Sequence, residues 1–172
     1  PECGFVDAVK GAMEAGYTEP DPRIDLSGVD VQRKILILAR EAGYTMDMSD
    51  VDNPGFLPQE LMEGSVADFL EKLPTAEAGM QKRLAEASAQ GVKLRDVATF
   101  ELNDHGEPTA RVGLQSLPPD HVFCQLEGSD NVVMLRTDRY AERPLVIQGA
   151  GAGADVTAMG VFADIMRFAA SR

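Results

Sequence analysis

An α+β fold, with a largely antiparallel or mixed sheet covered by helices on one face, is the architecture this sequence predicts. Three observations lead to it. Between Phe5 and Gly91 apolar residues recur at helical spacing in several segments parted by turns and a loop; from Val92 they sit in short extended runs separated by turn residues; and the last run leads through glycines into a final helical stretch. Helices first, hairpins next, and a strand with a helix last is an order in which each layer's apolar face needs the other layer to cover it.

The first element, Phe5 to Ala15 (FVDAVKGAMEA), stops at Gly16, which suits the left-handed residue that closes a helix. A turn rich in acids and prolines follows. Val31 to Ala42 then places Ile35, Leu36, Leu38 and Ala39 on an apolar face, with Ser27 or Asp30 as N-cap and Gly43 as the stop. Residues 44–64 hold Asn53, Pro54, Gly55 and Pro58 and read as a surface loop with a short helical turn at Gln59–Met62. Ser65 caps a short helix to about Leu73, and Pro74–Thr75 opens a longer one through Met80, Leu84 and Ala87 to Gly91. VKLRDVATFEL and EPTARVGLQSL flank the turn Asn103–Gly106 and predict a hairpin, since Asn, Asp and Gly supply the backbone angles of a tight reversal. VFCQLEG and NVVMLRTD, around a turn at Ser129–Asn131, predict a second. PLVIQG is the last strand and ADVTAMGVFADIMRFAA the last helix. With no internal repeat, low-complexity tract or long linker, residues 1–172 are expected to form one domain.

At 44% apolar and 26% charged residues, the composition is that of a soluble globular protein. The formal net charge of −12 argues against nucleic acid and anionic membrane as partners, because both require clustered Lys and Arg. A cationic or zwitterionic small molecule suits it better. Cys3 and Cys124 are too few for a disulfide framework. Neither a secretion signal nor an apolar run of about 18 residues occurs, which points to a reducing, cytoplasmic setting. His105 and His121 have no metal-ligand spacing to each other or to a Cys, so no metal site is expected.

Chemical potential is concentrated in Gly16–Lys34, GYTEPDPRIDLSGVDVQRK. Two prolines stiffen a turn bearing Glu19, Asp21 and Asp25, while Asp30 and Lys34, four apart, share a helical face. Carboxylates on a rigid turn beside a lysine can hold an ammonium group and move a proton. A plainer reading also fits: an acid four residues before a base is the favoured order for an ordinary surface pair, and an acidic Pro-rich turn can simply be solvated. The run Gly149-Ala150-Gly151-Ala152-Gly153 is equally two-sided, either a tight turn or a loop whose backbone N–H groups approach an anionic or ring-shaped ligand at a helix N-terminus. It does not complete a Rossmann unit, which needs a second parallel strand after the helix and an acidic residue beyond the turn.

The GYTEPDP run with Asp25, Gly28, Asp30 and Lys34 at this spacing, and QGAGAGADVTAMGVFADIMR towards the other end, together resemble homoserine dehydrogenases, above all those fused to an aspartokinase. The resemblance is strongest over residues 4–42 and 144–170. It departs from the family pattern at Ile24, often Asp, and at Gln32, often Ala. It implies the catalytic and dimerisation domain of an enzyme that interconverts L-homoserine and L-aspartate 4-semialdehyde with NADP or NAD, on the route to threonine and methionine. Lys34 would then be the proton donor and Asp30 would position that amine or the reacting hydroxyl. Glu19 and Asp25 would hold the substrate, Thr18 would orient Glu19, and Gly149, Gly151 and Gly153 would face the nicotinamide. In the family a Rossmann domain precedes this region, so the resemblance implies a portion of a longer chain, inactive alone, and a homodimer or larger homo-oligomer. A role of another class fits the same hairpins: a non-catalytic module for self-association or regulation, since exposed sheet edges can pair across a two-fold axis.

Overall fold

The computed structural model describes residues 3–128, 130–151 and 154–171. Its chain divides into two units, Pro1–Pro119 and Asp120–Arg172. In the first, helix α1 (Phe5–Glu14) ends as the sequence suggests, with Gly16 at φ 72° and the Tyr17 N–H donating to the Ala12 carbonyl at 2.9 Å. Its N-terminus borrows a cap from another helix. Glu77, in the first turn of α5 (Glu77–Ala89), accepts from the Phe5 and Val6 N–H groups at 3.0 and 2.8 Å, so a carboxylate meets the positive end of the α1 dipole.

The acidic turn contains a short helix that the sequence reading did not resolve, α2 (Pro22–Leu26), capped by Asp21 with Pro22 at its start. Helix α3 (Val29–Glu41) follows after Gly28, which rather than Ser27 or Asp30 is its N-cap. Ser27 closes α2 instead, its hydroxyl donating to the Ile24 carbonyl at 2.9 Å, and Asp30 lies inside the first turn of α3. Ile35, Leu36 and Ala39 are buried as expected, but Leu38 is 42% exposed. Leu38 stands two residues from Leu36, about 200° around the helix, and cannot share its face. The loop after α3 is less of a surface feature than its prolines suggest: Met46, Val51, Leu57 and Leu61 are buried. Within it, β1 (Val51–Asp52) pairs in parallel with β3, and a single helical turn forms at Gln59–Leu61.

Ser65 caps α4 (Val66–Lys72) through a reciprocal pair with Asp68. A tight turn over Leu73–Ala76 then leads into α5. The hairpin of β2 (Lys93–Leu102) and β3 (Pro108–Leu117) is held by Asn103, whose Oδ1 accepts from the His105 and Glu107 N–H groups at 2.9 and 3.0 Å. The sheet order is β1-β3-β2. Cross-strand pairs Ala98↔Val112 and Phe100↔Ala110 face α3, packing with Ile35, Leu36, Ala39, Met46 and Val51. By strand alternation Leu94, Leu114 and Ser116 lie on the same face, where they line a shallow hollow with Ala87 of α5. Both helices therefore cover one side of this sheet. A second apolar cluster joins Val9 of α1 to Leu57, Leu61, Phe69, Leu73 and Ala76, with Leu26 of α2 against it.

In the second unit VFCQLEG is not a strand. It forms a single turn at Val122–Cys124, because His121 Nδ1 accepts from the Phe123 N–H at 3.2 Å and the chain leaves Pro118-Pro119 already turning. The expected second hairpin forms from different partners: β4 (Asp130–Leu135) pairs antiparallel with β5 (Leu145–Ala150), giving a two-stranded sheet separate from the first. Helix α6 (Ala154–Ala170) follows. No helix among the described residues is long and apolar enough to cross a membrane.

Candidate functional site

The end of α1, the turn, α2 and the start of α3 carry the residues singled out by sequence. Asp21 and Arg23 set the turn's shape. The Arg23 guanidinium donates to both oxygens of Asp21, at 2.9 Å from Nε and 2.6 Å from Nη2, and through Nη1 to the carbonyls of Met62 and Gly64 at 3.2 and 2.7 Å. One side chain thereby ties the start of α2 to the loop before α4. The hydrogen bond from Arg23 holds the Asp21 carboxyl below the usual carboxylate range, and the same bond raises the guanidinium. Sequence reasoning counted Asp21 among the turn's acids and passed over Arg23. The Asp-Pro start, which places residue 23 in a first helical turn, was the signal available.

Asp25 folds the turn back on itself, its Oδ2 accepting from the Glu19 N–H at 2.9 Å. That bond fixes the backbone of Glu19 while leaving its exposed carboxylate without a partner among the described residues. Thr18 is half-buried beside it and makes no hydrogen bond to Glu19. Along α3, Lys34 Nζ stands 2.7 Å from Asp30 Oδ2, with both side chains about half exposed at 59% and 48%. The structure thus brings the predicted residues together as two pairs, Glu19 with Asp25 and Asp30 with Lys34. No hydrogen bond or ion pair joins one pair to the other among the described residues.

In the other unit Gly149 lies in β5 opposite Asn131, and Gly151 follows the strand. A Cβ added at Gly149 would meet nothing within 4 Å, whereas one at Gly151 would collide with the Asn131 side chain. Gly153 lies outside the described residues. Neither described glycine of this run has a positive φ, so an open backbone at Gly149 and close approach at Gly151 describe them better than a tight left-handed turn.

A family model described as homoserine dehydrogenase matches residues 2–166, spanning both units. The chain belongs to the homoserine dehydrogenase family. It is 47% identical over 167 residues to the bifunctional aspartokinase/homoserine dehydrogenase 2, chloroplastic, of Zea mays, covering 96% of this chain and 18% of that one. To the homoserine dehydrogenase of Emericella nidulans it is 41% identical, over 94% of this chain and 45% of the relative. Among solved structures, a Candida auris protein of unknown function superposes with TM-score 0.85 at 44% identity, over 98% of this chain and 47% of that one. The S. aureus homoserine dehydrogenase shares the fold, with TM-score 0.72 at 22% identity over 98% of this chain and 37% of that structure. This homoserine dehydrogenase region therefore spans less than half the length of each of these relatives.

Proposed function

We propose that residues 1–172 act as the catalytic and dimerisation domain of a homoserine dehydrogenase, interconverting L-homoserine and L-aspartate 4-semialdehyde with NADP or NAD. A family match that runs across both units supports treating them as one functional domain. The observation that carries the chemistry is the 2.7 Å Asp30–Lys34 pair at the start of α3, on the same segment as a Glu19 carboxylate that has no partner among the described residues. Glu19 and Asp25 hold the ammonium group of the amino acid, a charge-assisted contact made equally in ground and transition states. Lys34 gives its proton to the carbonyl oxygen of the semialdehyde as negative charge develops there, and takes it back from the hydroxyl in the reverse direction. Asp30 holds the amine on that line. When bound, a nicotinamide cofactor would supply or accept the hydride, and the open backbone at Gly149 would leave room for its flat ring. We assign the enzyme to the cytoplasm, a reducing compartment in which Cys3 and Cys124 would remain thiols.

Steady-state kinetics of the full-length enzyme test these roles. Lys34→Ala is expected to lower kcat by about 10²–10⁴-fold, as for a lost general acid. Glu19→Ala should act chiefly on the KM for homoserine. A Lys34→Ala enzyme with near-normal kcat, and circular dichroism like the parent's, would return the pair to an ordinary helix-surface ion pair. A non-catalytic module for self-association or regulation is a second reading, favoured by β2, a ten-residue strand at the sheet edge. Sedimentation of a full-length enzyme that is active as a monomer would dismiss it.

A further inference from the structure

We propose that Asn53 and Gln32 form an amide clamp that sets the roll and start of α3, and so positions Lys34 and Asp30 for proton transfer. The proposal rests on the catalytic reading of Lys34 given above. Gln32 is the one buried polar residue among the described residues, 8% exposed, on the face of α3 that otherwise holds Ile35, Leu36 and Ala39. It lies midway between Asp30 and Lys34, about 200° around the helix from each, so it grips α3 from the side opposite the reacting pair. Its Nε2 donates to the Met48 carbonyl at 2.8 Å, and its Oε1 accepts from Asn53 Nδ2 at 3.0 Å. The same Asn53 Nδ2 donates to the carbonyl of Ser27, the residue that caps the end of α2, at 2.9 Å, while Asn53 Oδ1 accepts from the Gly55 N–H at 3.2 Å.

Four points of the chain therefore meet on two side-chain amides: the end of α2, the first turns of α3, and both sides of β1. Between the two helices stands Gly28, at φ 71°, where an added Cβ would lie 3.1 Å from Val112 Cγ1 and 3.3 Å from Asn53 Oδ1. The bend is thus braced by the sheet beneath and the clamp beside it. Asp25 precedes the bend and Asp30 follows it. Any change in the angle or roll there moves Lys34 relative to the carboxylates that hold the substrate. Apolar packing alone fixes helix roll loosely, because it is non-directional; a buried amide with fixed hydrogen-bond partners fixes it to one setting.

A double-mutant cycle in the full-length enzyme separates positioning from mere support. Asn53→Ala is expected to lower kcat for homoserine oxidation by about 10- to 100-fold, the scale of a misplacement near 1 Å, with the KM for NADP unchanged. In the Lys34→Ala background the same substitution should cause no further loss of kcat, since the group it positions is gone. Equal fractional losses in both backgrounds would overturn the clamp and leave Asn53 as a structural residue. A Lys34→Ala enzyme with near-normal kcat would instead remove the catalytic reading, and the clamp's role with it. Should Asn53→Ala fold too poorly to assay, the volume-conserving Gln32→Met carries the same cycle with a smaller expected loss.

Discussion

Gly28 is where residue chemistry and backbone geometry meet most tightly in this protein. Its left-handed φ costs a side-chain-bearing residue roughly 1–2 kcal/mol, and the two contacts a Cβ would make there add crowding against a buried valine and a hydrogen-bonded amide. Gly28→Ala should therefore destabilise the domain by about 1–3 kcal/mol, measured as a lower urea midpoint with the slope unchanged. Gly113→Ala makes the control, since a Cβ there meets nothing within 4 Å and the backbone is extended. Equal losses at the two glycines would remove the special status of the bend. How much of this was legible in the sequence differs by residue. The order Asp25, Gly28, Asp30, Lys34 was visible, as was the shared face of the last two. The partners Asn53 and Arg23 were not, because their bonds reach across 26 and 39 residues, respectively, to backbone carbonyls that carry no side-chain signature.

At the scale of elements, the longer helices were legible, the five-residue α2 was not, and the second half of the chain was less so. Caps explain the success: Gly16 at the end of α1 and the Ser65–Asp68 pair at the start of α4 are local signals that tertiary contacts did not override. VFCQLEG failed because strand identity depends on a partner, and β4 found a better one in PLVIQG, setting Val132, Val133 and Met134 against Gln148, Ile147 and Val146. The Glu77 cap on α1 is another long-range feature, and it makes a pH prediction. Hydrogen bonds from the Val6 and then the Phe5 N–H hold the Glu77 carboxyl below the ordinary glutamate value of 4.5. Because the folded pKa is depressed, Glu77 stabilises the native state fully above pH 4.5, and that contribution is lost as pH falls through its folded value. Glu77→Gln should then lower the thermal midpoint at pH 7, and its difference from the parent should narrow steadily as pH falls below 4.5. A constant difference across that range would show that Glu77 contributes through packing and not through charge.

The whole molecule has an uneven distribution of buried contact. Residues up to Pro119 enclose two apolar clusters, one between α3 and the sheet and one among α1, α4 and their connecting turns. From Asp120 onward the one buried apolar residue described is Cys124, while α6 presents Met159, Val161, Phe162, Ile165 and Met166 each more than half exposed. Composition gave no warning of this contrast, since α6 is the most apolar helix of the chain and reads as core by hydrophobicity alone. Local stability follows burial and not hydrophobicity, because an exposed apolar side chain has gained nothing from leaving water. Native-state hydrogen exchange of the 172-residue chain should consequently rank α3 among the slowest amides and α6 among the fastest, with β2 and β3 protected by their ten-residue ladder. The α3 and α6 peptides are similar in length, 13 and 17 residues, so chain length cannot produce that order. Protection of α6 equal to that of α3 in the isolated chain would mean that its apolar face is covered there, and would refute this account of where the stability lies.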